Sequence, residues 1–317
     1  MSTQQPLLPA APRKFADPDV TANGEPRASV ALTRPRTLWF NTGTLCNIAC
    51  ATCYIESSPS NDRLIYITTQ EVERFLDEAA ALDWPLEEIG FTGGEPFLNP
   101  QAPAMIEAAL SRGFEVLVLT NAMRPMLRPA VREALARLID AHGARLTFRV
   151  SLDHPEPARH DAERGAGAFA SALEGLRWLR DRGARLAVAG RLWEGTDADL
   201  RARFAALFAA ERLPIEAADP GACVLFPEMD ARADVPEITT ACWGILNKRP
   251  EEVMCASSRM VVRRKGAPRA SVASCTLLPY APEFDLGESL AEASAPVKLN
   301  HPHCATFCVL GGASCSA

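Results

Sequence analysis

The chain has 317 residues, 48% of them hydrophobic and 23% charged, with a formal net charge of −6. Such a length can bury one large core and a smaller one, and the composition is that of an ordinary globular protein. The acidic balance argues against a general nucleic-acid binder, no apolar run of about 18 residues reads as a membrane span, and the opening MSTQQPLLPAAPRK lacks the basic start and apolar core of a secretory signal, so the expectation is a cytoplasmic protein.

Residues 1–34 are rich in Pro, Ala and polar residues without a lasting period, and are expected to form a flexible N-terminal tail. TLWFN (37–41) opens the regular pattern as a short strand. Thr68 and Glu71 form a capping box ahead of an apolar stripe of Val72, Phe75, Leu76, Ala79 and Leu82, which predicts a helix. Strand patterns follow at EEIGF (87–91), FEVLVLT (114–120), LTFRVSLD (146–153) and LAVAG (186–190). Between them lie helices marked by Met105 to Leu110, by 127–140, by Phe169 to Leu179 and by 196–210. Pro214 to Ala217 reads as the opening of a sixth strand. Repeated alternation of strand and helix means a parallel sheet with helices outside, and the motifs described below sit just after strands, where ligand sites gather. An open barrel and a doubly wound sheet share this pattern. Past residue 220 the alternation stops. A short hairpin is expected over 260–266 and 270–278, and the ending HPHCATFCVLGGASCSA has little helix signal. The expected division is a core over 35–220 and a small cysteine-rich domain over 221–317.

Ten cysteines fall as a trio at 46, 50 and 53, then none until 223, then seven in the last third. In a reducing compartment, clustering of this kind points to metal or redox chemistry rather than a disulfide frame. Thiolates at Cys46, Cys50 and Cys53 can ligate three irons of a four-iron cluster and leave one iron open for chemistry. A structural zinc on three thiolates and a distant fourth ligand is the rival. In FTGGEP (91–96), Gly93 and Gly94 let a ligand approach the backbone closely, and Glu95 adds a carboxylate suited to an amine. Arg149, Ser151 and Asp153 alternate along one strand face, and Arg191 follows the fifth strand toward the same space.

Taken together, CNIACATCY (46–54) and TGGEP (92–96) resemble the cluster loop and second-strand motif of the radical S-adenosylmethionine (radical SAM) superfamily. The resemblance implies an α/β fold, a partial (β/α)6 TIM-like barrel with a small C-terminal cysteine-rich extension. It further implies a [4Fe-4S] cluster on Cys46, Cys50 and Cys53 whose open iron is chelated by the amino and carboxylate groups of S-adenosyl-L-methionine, with the backbone around Gly93, Gly94 and Glu95 holding the amino group. LTNAM (119–123) places Asn121 where this family often has it. VSLDHPEPARHDAERGAGAF (150–169) is similar to a run in the peptide- and protein-modifying branch, which assigns Ser151 to the ribose and Arg164 to the carboxylate of the cofactor; His154 stands where that branch commonly has Gly. Arg191 is a further candidate for cofactor or substrate contact. Cys255, Cys275, Cys304, Cys308 and Cys315 resemble a shortened auxiliary-cluster (twitch or SPASM-like) extension, in which five cysteines compete for four places and Cys242 is a sixth. The implied activity is reductive cleavage of S-adenosylmethionine to a 5′-deoxyadenosyl radical that takes a hydrogen atom from a peptide or protein, with a flavodoxin- or ferredoxin-like electron donor. The alternatives are the same chemistry on a small metabolite, and a non-catalytic metal-binding scaffold.

Overall fold

The computed structural model describes residues 13–312 apart from 194, 229 and 231. A two-residue strand, β1 (Ser29–Val30), precedes the regular core. That core begins β2 (Thr37–Asn41), α1 (Thr69–Ala81), β3 (Glu88–Thr92), α2 (Ala102–Ser111), β4 (Glu115–Thr120), α3 (Arg124–Leu127) and α4 (Pro129–His142). It continues β5 (Leu146–Ser151), α5 (Pro157–Arg164), α6 (Ala168–Asp181), β6 (Arg185–Leu192), α7 (Asp197–Ala210) and β7 (Cys223–Pro227). After it come α8 (Cys242–Ile245), β8 (Ser258–Val262), β9 (Ser271–Ala273) and β10 (Val297–Lys298).

One eight-stranded sheet runs β7-β6-β5-β4-β3-β2-β8-β9, parallel except for the last pair. The six strands β2 to β7, with helices between them, form the partial barrel that the sequence resemblance implies. Each strand alternates two buried faces. Outward residues such as Phe40, Phe91, Val118 and Phe148 meet the helices in one core, while Trp39, Leu117 and Met260 face a second core shared with the C-terminal segment. The capping box of α1 is present, with Thr68 Oγ1 accepting from the Glu71 N–H at 3.2 Å and Glu71 Oε2 accepting from the Thr68 N–H at 2.9 Å. Val72, Phe75, Leu76 and Ala79 are buried as the stripe requires, and Leu82 is the exposed C-cap. Among the described residues no helix is long and apolar enough to cross a membrane.

Two expectations are corrected and a third is borne out and extended. The sixth barrel strand is β7 at 223–227, not 214–217; Leu213, Ile215 and Ala217 are buried at alternate positions, which imitates a strand, but the Ile215 N–H closes a turn onto Leu213 O. The hairpin forms as β8 and β9, and β8 also adds to the open edge of β2, so the C-terminal region extends the barrel sheet. The ending has more helix than its sequence suggests, because Cys304–Leu310 winds into a wide π-helical segment that buries Ala305, Phe307 and Val309. Tertiary burial overrides weak propensity there.

The part of the N-terminal region that is described is not loose. Ala28 and Val30 are fully buried, β1 pairs antiparallel with β10, and the Arg27 guanidinium meets Glu237 at 2.5 Å with neither side chain more than 6% exposed. Arg27 also donates to Asp17 O, Val20 O and Leu299 O, so one buried cation ties the 17–27 segment to Glu237 and Leu299. Glu237→Ala leaves that guanidinium without its counter-charge and is expected to destabilise the fold by about 3–5 kcal/mol in urea unfolding.

Candidate cofactor and metal site

The C-terminal ends of the parallel strands share one rim, and a cavity of about 140 Å3 opens there. Cys46, Cys50, Cys53, Gly93, Gly94, Asn121, Ser151, Arg164 and Arg191 all line it, so the structure brings together every cofactor-site residue expected from the sequence except Glu95.

The thiol loop leaves β2 and is pressed against the end of β3. Gly94 N–H donates to Gly43 O at 2.8 Å and Glu95 N–H to Leu45 O at 3.1 Å. A Cβ on Gly94 would stand 2.2 Å from Leu45 O, and one on Gly93, whose φ is +140°, would stand 2.5 Å from Gly43 O. Only glycine permits this approach. The Glu95 carboxylate turns away from the cavity: it accepts from Thr120 Oγ1 at 2.8 and 3.0 Å, from the Asn121 N–H at 2.8 Å and from the Phe97 N–H at 3.2 Å. Burial pushes its pKa up to about 7 against those hydrogen bonds. Glu95 thus positions Asn121, whose Nδ2 donates to Asn47 Oδ1 at 2.9 Å and approaches Cys46 Sγ at 3.8 Å.

The outer side of the thiol loop is braced by α5 and β6. Ala51 N–H donates to Glu163 O at 3.0 Å, Thr52 Oγ1 to the Glu163 carboxylate at 2.9 Å, and Arg191 Nη2 to Thr52 O at 3.1 Å. Ser57 N–H points at Cys53 Sγ at 3.3 Å, a donor suited to a thiolate. Burial pushes the Cys46 thiol up to about 12 and raises that of Cys50, with Arg164 opposing at Cys50. Thiols so placed ionise when a metal cation takes them.

Asp153 is the hub of the cavity's charge. Arg164 grips it with two bonds, Nε to Oδ2 at 2.6 Å and Nη2 to Oδ1 at 3.0 Å, and Arg191 Nε stands 3.4 Å from Oδ1. Burial alone would raise its pKa, but the two guanidiniums hold it below the usual carboxylate range. Two cations on one anion leave a net positive charge facing the thiols. His154 is buried, accepts the Glu156 N–H on Nδ1 at 3.0 Å and stacks on Trp193, so it supports the rim rather than lining the cavity.

Four further residues shape the opening and were not anticipated from the sequence as wall residues: Ile55, Phe226, Leu277 and Phe307. Phe226 and Phe307 pack at 5.3 Å. Their only sequence signal is position, Leu277 two residues after Cys275 and Phe307 between Cys304 and Cys308.

Those cysteines form the second group. Cys255, Cys275, Cys304 and Cys308 are all buried in the second core. Burial raises the first three thiols, Cys255 to about 12, and Cys255 and Cys275 further disfavour ionisation of Cys304. Cys304 and Cys308 are four residues apart on one helical segment and so share a side. Cys242 instead accepts from the Thr239 N–H at 3.4 Å, and Cys315 lies outside the described residues. Among the described residues no three His, Cys, Asp or Glu side chains close on one point as ligands of a single ion would. A four-iron cluster, whose thiolates each take a different iron, does not need them to.

The family model of the radical SAM superfamily matches residues 40–191. The chain is 30% identical over 151 residues to the antilisterial bacteriocin subtilosin biosynthesis protein AlbA of Bacillus subtilis, covering 47% of this chain and 31% of that one. It is 29% identical over 144 residues to the AdoMet-dependent heme synthase of Nitratidesulfovibrio vulgaris, covering 44% and 35%. The chain therefore spans about a third of the length of these curated relatives. Among solved structures, SuiB of Streptococcus suis bound to S-adenosylmethionine superposes with a TM-score of 0.59 over 80% of this chain and 63% of that one, at 10% identity, a likeness of fold.

His160, on α5 behind Arg164, is fully buried and neither of its ring nitrogens has a hydrogen-bond partner among the described residues. Burial, with Arg164 adding to it, lowers its pKa to about 4. The folded ring stays neutral where the unfolded one is protonated, so its contribution to stability is complete above pH 6.5 and is lost as pH falls toward 4. Urea unfolding should show this residue removing about 2 kcal/mol of stability between pH 7.5 and 5, and His160→Gln should flatten that part of the pH profile.

Proposed function

Because the chain belongs to the radical SAM superfamily, we propose that it binds a [4Fe-4S] cluster on Cys46, Cys50 and Cys53 and S-adenosylmethionine beside it, and acts on a peptide or protein. The observation that carries this reading is the convergence of three thiols, the Gly93–Gly94 turn and the Asp153–Arg164–Arg191 group on one cavity. When bound and reduced, the cluster supplies the electron that splits the sulfonium of S-adenosylmethionine, giving methionine and a 5′-deoxyadenosyl radical able to take a hydrogen atom from substrate.

The chain's own residues have definite tasks in this scheme. An ammonium group needs acceptors, and the Gly94 and Glu95 N–H groups are already used internally, so the carbonyl oxygens of the glycine turn are the groups suited to it. Ser151, at the end of β5, supplies a hydroxyl for a ribose. The net positive charge of Arg164 and Arg191 over Asp153 suits both a carboxylate and an anionic thiolate-bound cluster. Arg164 spends two of its donors on Asp153, so it acts on a carboxylate with what remains of its fork. Apolar Leu119, Phe226, Leu277 and Phe307 keep water from the reacting carbon.

We assign Cys255, Cys275, Cys304 and Cys308 to a second, auxiliary cluster, with Cys315 the alternative fourth ligand. The four thiols are buried in one core, and a bound metal centre would supply the positive charge that their ionisation needs. A flavodoxin- or ferredoxin-like protein in a reducing compartment would supply the electron. The peptide reading is supported by the 150–169 run and by the likeness to AlbA; the likeness to the heme synthase favours a small metabolite as the second reading.

Iron and acid-labile sulfide per chain after anaerobic reconstitution test the cluster assignment. About eight irons falling to about four in the Cys46/Cys50/Cys53→Ala variant are expected; about four falling to none would remove the auxiliary cluster. Reconstituted protein with dithionite and S-adenosylmethionine should release 5′-deoxyadenosine, and its absence with candidate peptides and metabolites alike would overturn the proposed activity.

A further inference from the structure

The barrel has a second cavity, of about 470 Å3, at the opposite end of the strands. It is lined by charged groups from the strand starts, among them Arg36, Glu88, Glu115, Arg185 and Asp219. Among the described residues one side chain lines both this cavity and the thiol-bearing one above it, and that is Arg149.

Arg149 sits mid-strand on β5, between Thr147, which faces the lower cavity, and Ser151, which faces the upper. Its neighbours in register are Leu119 on β4 and Ala187 on β6, and the small side chains of Ala187 and Ala189 leave the space a long one can fill. The adjoining interior is filled by Leu117 and by Trp39, whose ring covers Gly90 so closely that a Cβ there would stand 2.3 Å from it. Arg149 itself is only 2% exposed although both cavities touch it. Its charge finds an opposite in Glu88 below, whose carboxyl is raised by burial and lowered again by Arg149.

We propose that Arg149 forms the floor of the thiol cavity, closing the barrel axis against polar molecules entering from the lower cavity. The floor gains its purpose from the cofactor reading, since a reduced cluster and a radical must be kept from solutes, but its existence can be tested without any cofactor.

The test is the alkylation rate of individual cysteines in the metal-free protein, with iodoacetamide as the small neutral probe and mass spectrometry as the readout. Cys46, 5% exposed, reports the upper cavity, and Cys223, buried in the other core, reports the integrity of the fold. Arg149→Ala should raise the Cys46 rate at least about fivefold with Cys223 unchanged, because access governs the reaction of a buried thiol. Arg149→Met, which keeps the length and removes the charge, should stay within about twofold of the parent protein. Should the alanine variant also expose Cys223, Arg149→Val, suited to a strand interior, decides by the same Cys46-to-Cys223 ratio. An unchanged Cys46 rate, or methionine behaving as alanine does, would overturn the proposal. Neither outcome bears on whether the thiols hold a cluster, which iron analysis decides separately.

Discussion

The contact on which the site depends is the close approach of the 43–45 backbone to Gly93 and Gly94. Two backbone hydrogen bonds hold it, and there is no room at Gly94 for a single methyl group beside Leu45 O. The three thiols follow this contact directly in sequence. Because β2 and β3 are parallel neighbours in register, the same contact fixes the thiol loop over the barrel mouth, between the end of β3 and the C-terminal end of α5. A wider separation would let the loop swing away from Asn121, Arg164 and Arg191, and the cavity would lose either its thiols or its charge.

Electrostatics then shapes what the cavity can accept. Asp153 is the carboxylate that lines the upper cavity, Arg164 and Arg191 pair with it at the rim, and Arg149 lines the cavity from beneath. Asp153 limits the mobility of both rim guanidiniums, so their positive charge is organised before any ligand arrives. Preorganised charge of this kind acts without reorganisation at the moment of reaction. Glu95 shows the complementary placement: the carboxyl group of the glycine turn is used to hold the ends of β3 and β4 together, leaving the cavity lining free of a second carboxylate.

Much of this was legible in the sequence because parallel α/β architecture writes itself locally. Strands β2 to β6, the α1 capping box and the thiol trio each depend on residues close together in the chain. What escaped was what depends on distant partners. The 213–217 segment has a strand's alternation without a neighbouring strand to pair with, and β7 was missed because only pairing with β6 defines it. The anchoring of Arg27 by Glu237 spans 210 residues, so composition alone suggested a loose tail. The wide helical turn of 304–310 is stabilised by burial against the second core, which no local preference reveals. At the site, Glu95 was recognised as significant but its direction was not, since a side chain's partners are set by the neighbouring strand rather than by its own motif.

The C-terminal segment is more than a separate appendage to the barrel. Its strand β8 extends the barrel sheet from β2, Leu277 and Phe307 reach the cavity wall, and the Tyr280 hydroxyl donates to Ile55 O at 2.8 Å just beyond the thiol loop. Arg63 lies over the Tyr280 ring at 3.6 Å and adds to the same attachment. Each of these contacts is within five residues of one of the late cysteines: β8 begins three after Cys255, Leu277 and Tyr280 follow Cys275, and Phe307 lies between Cys304 and Cys308. Whatever gathers those thiols therefore also bears on the cavity wall and on the support of the thiol loop. The segments that carry the two cysteine groups thus meet through packed side chains and one shared sheet.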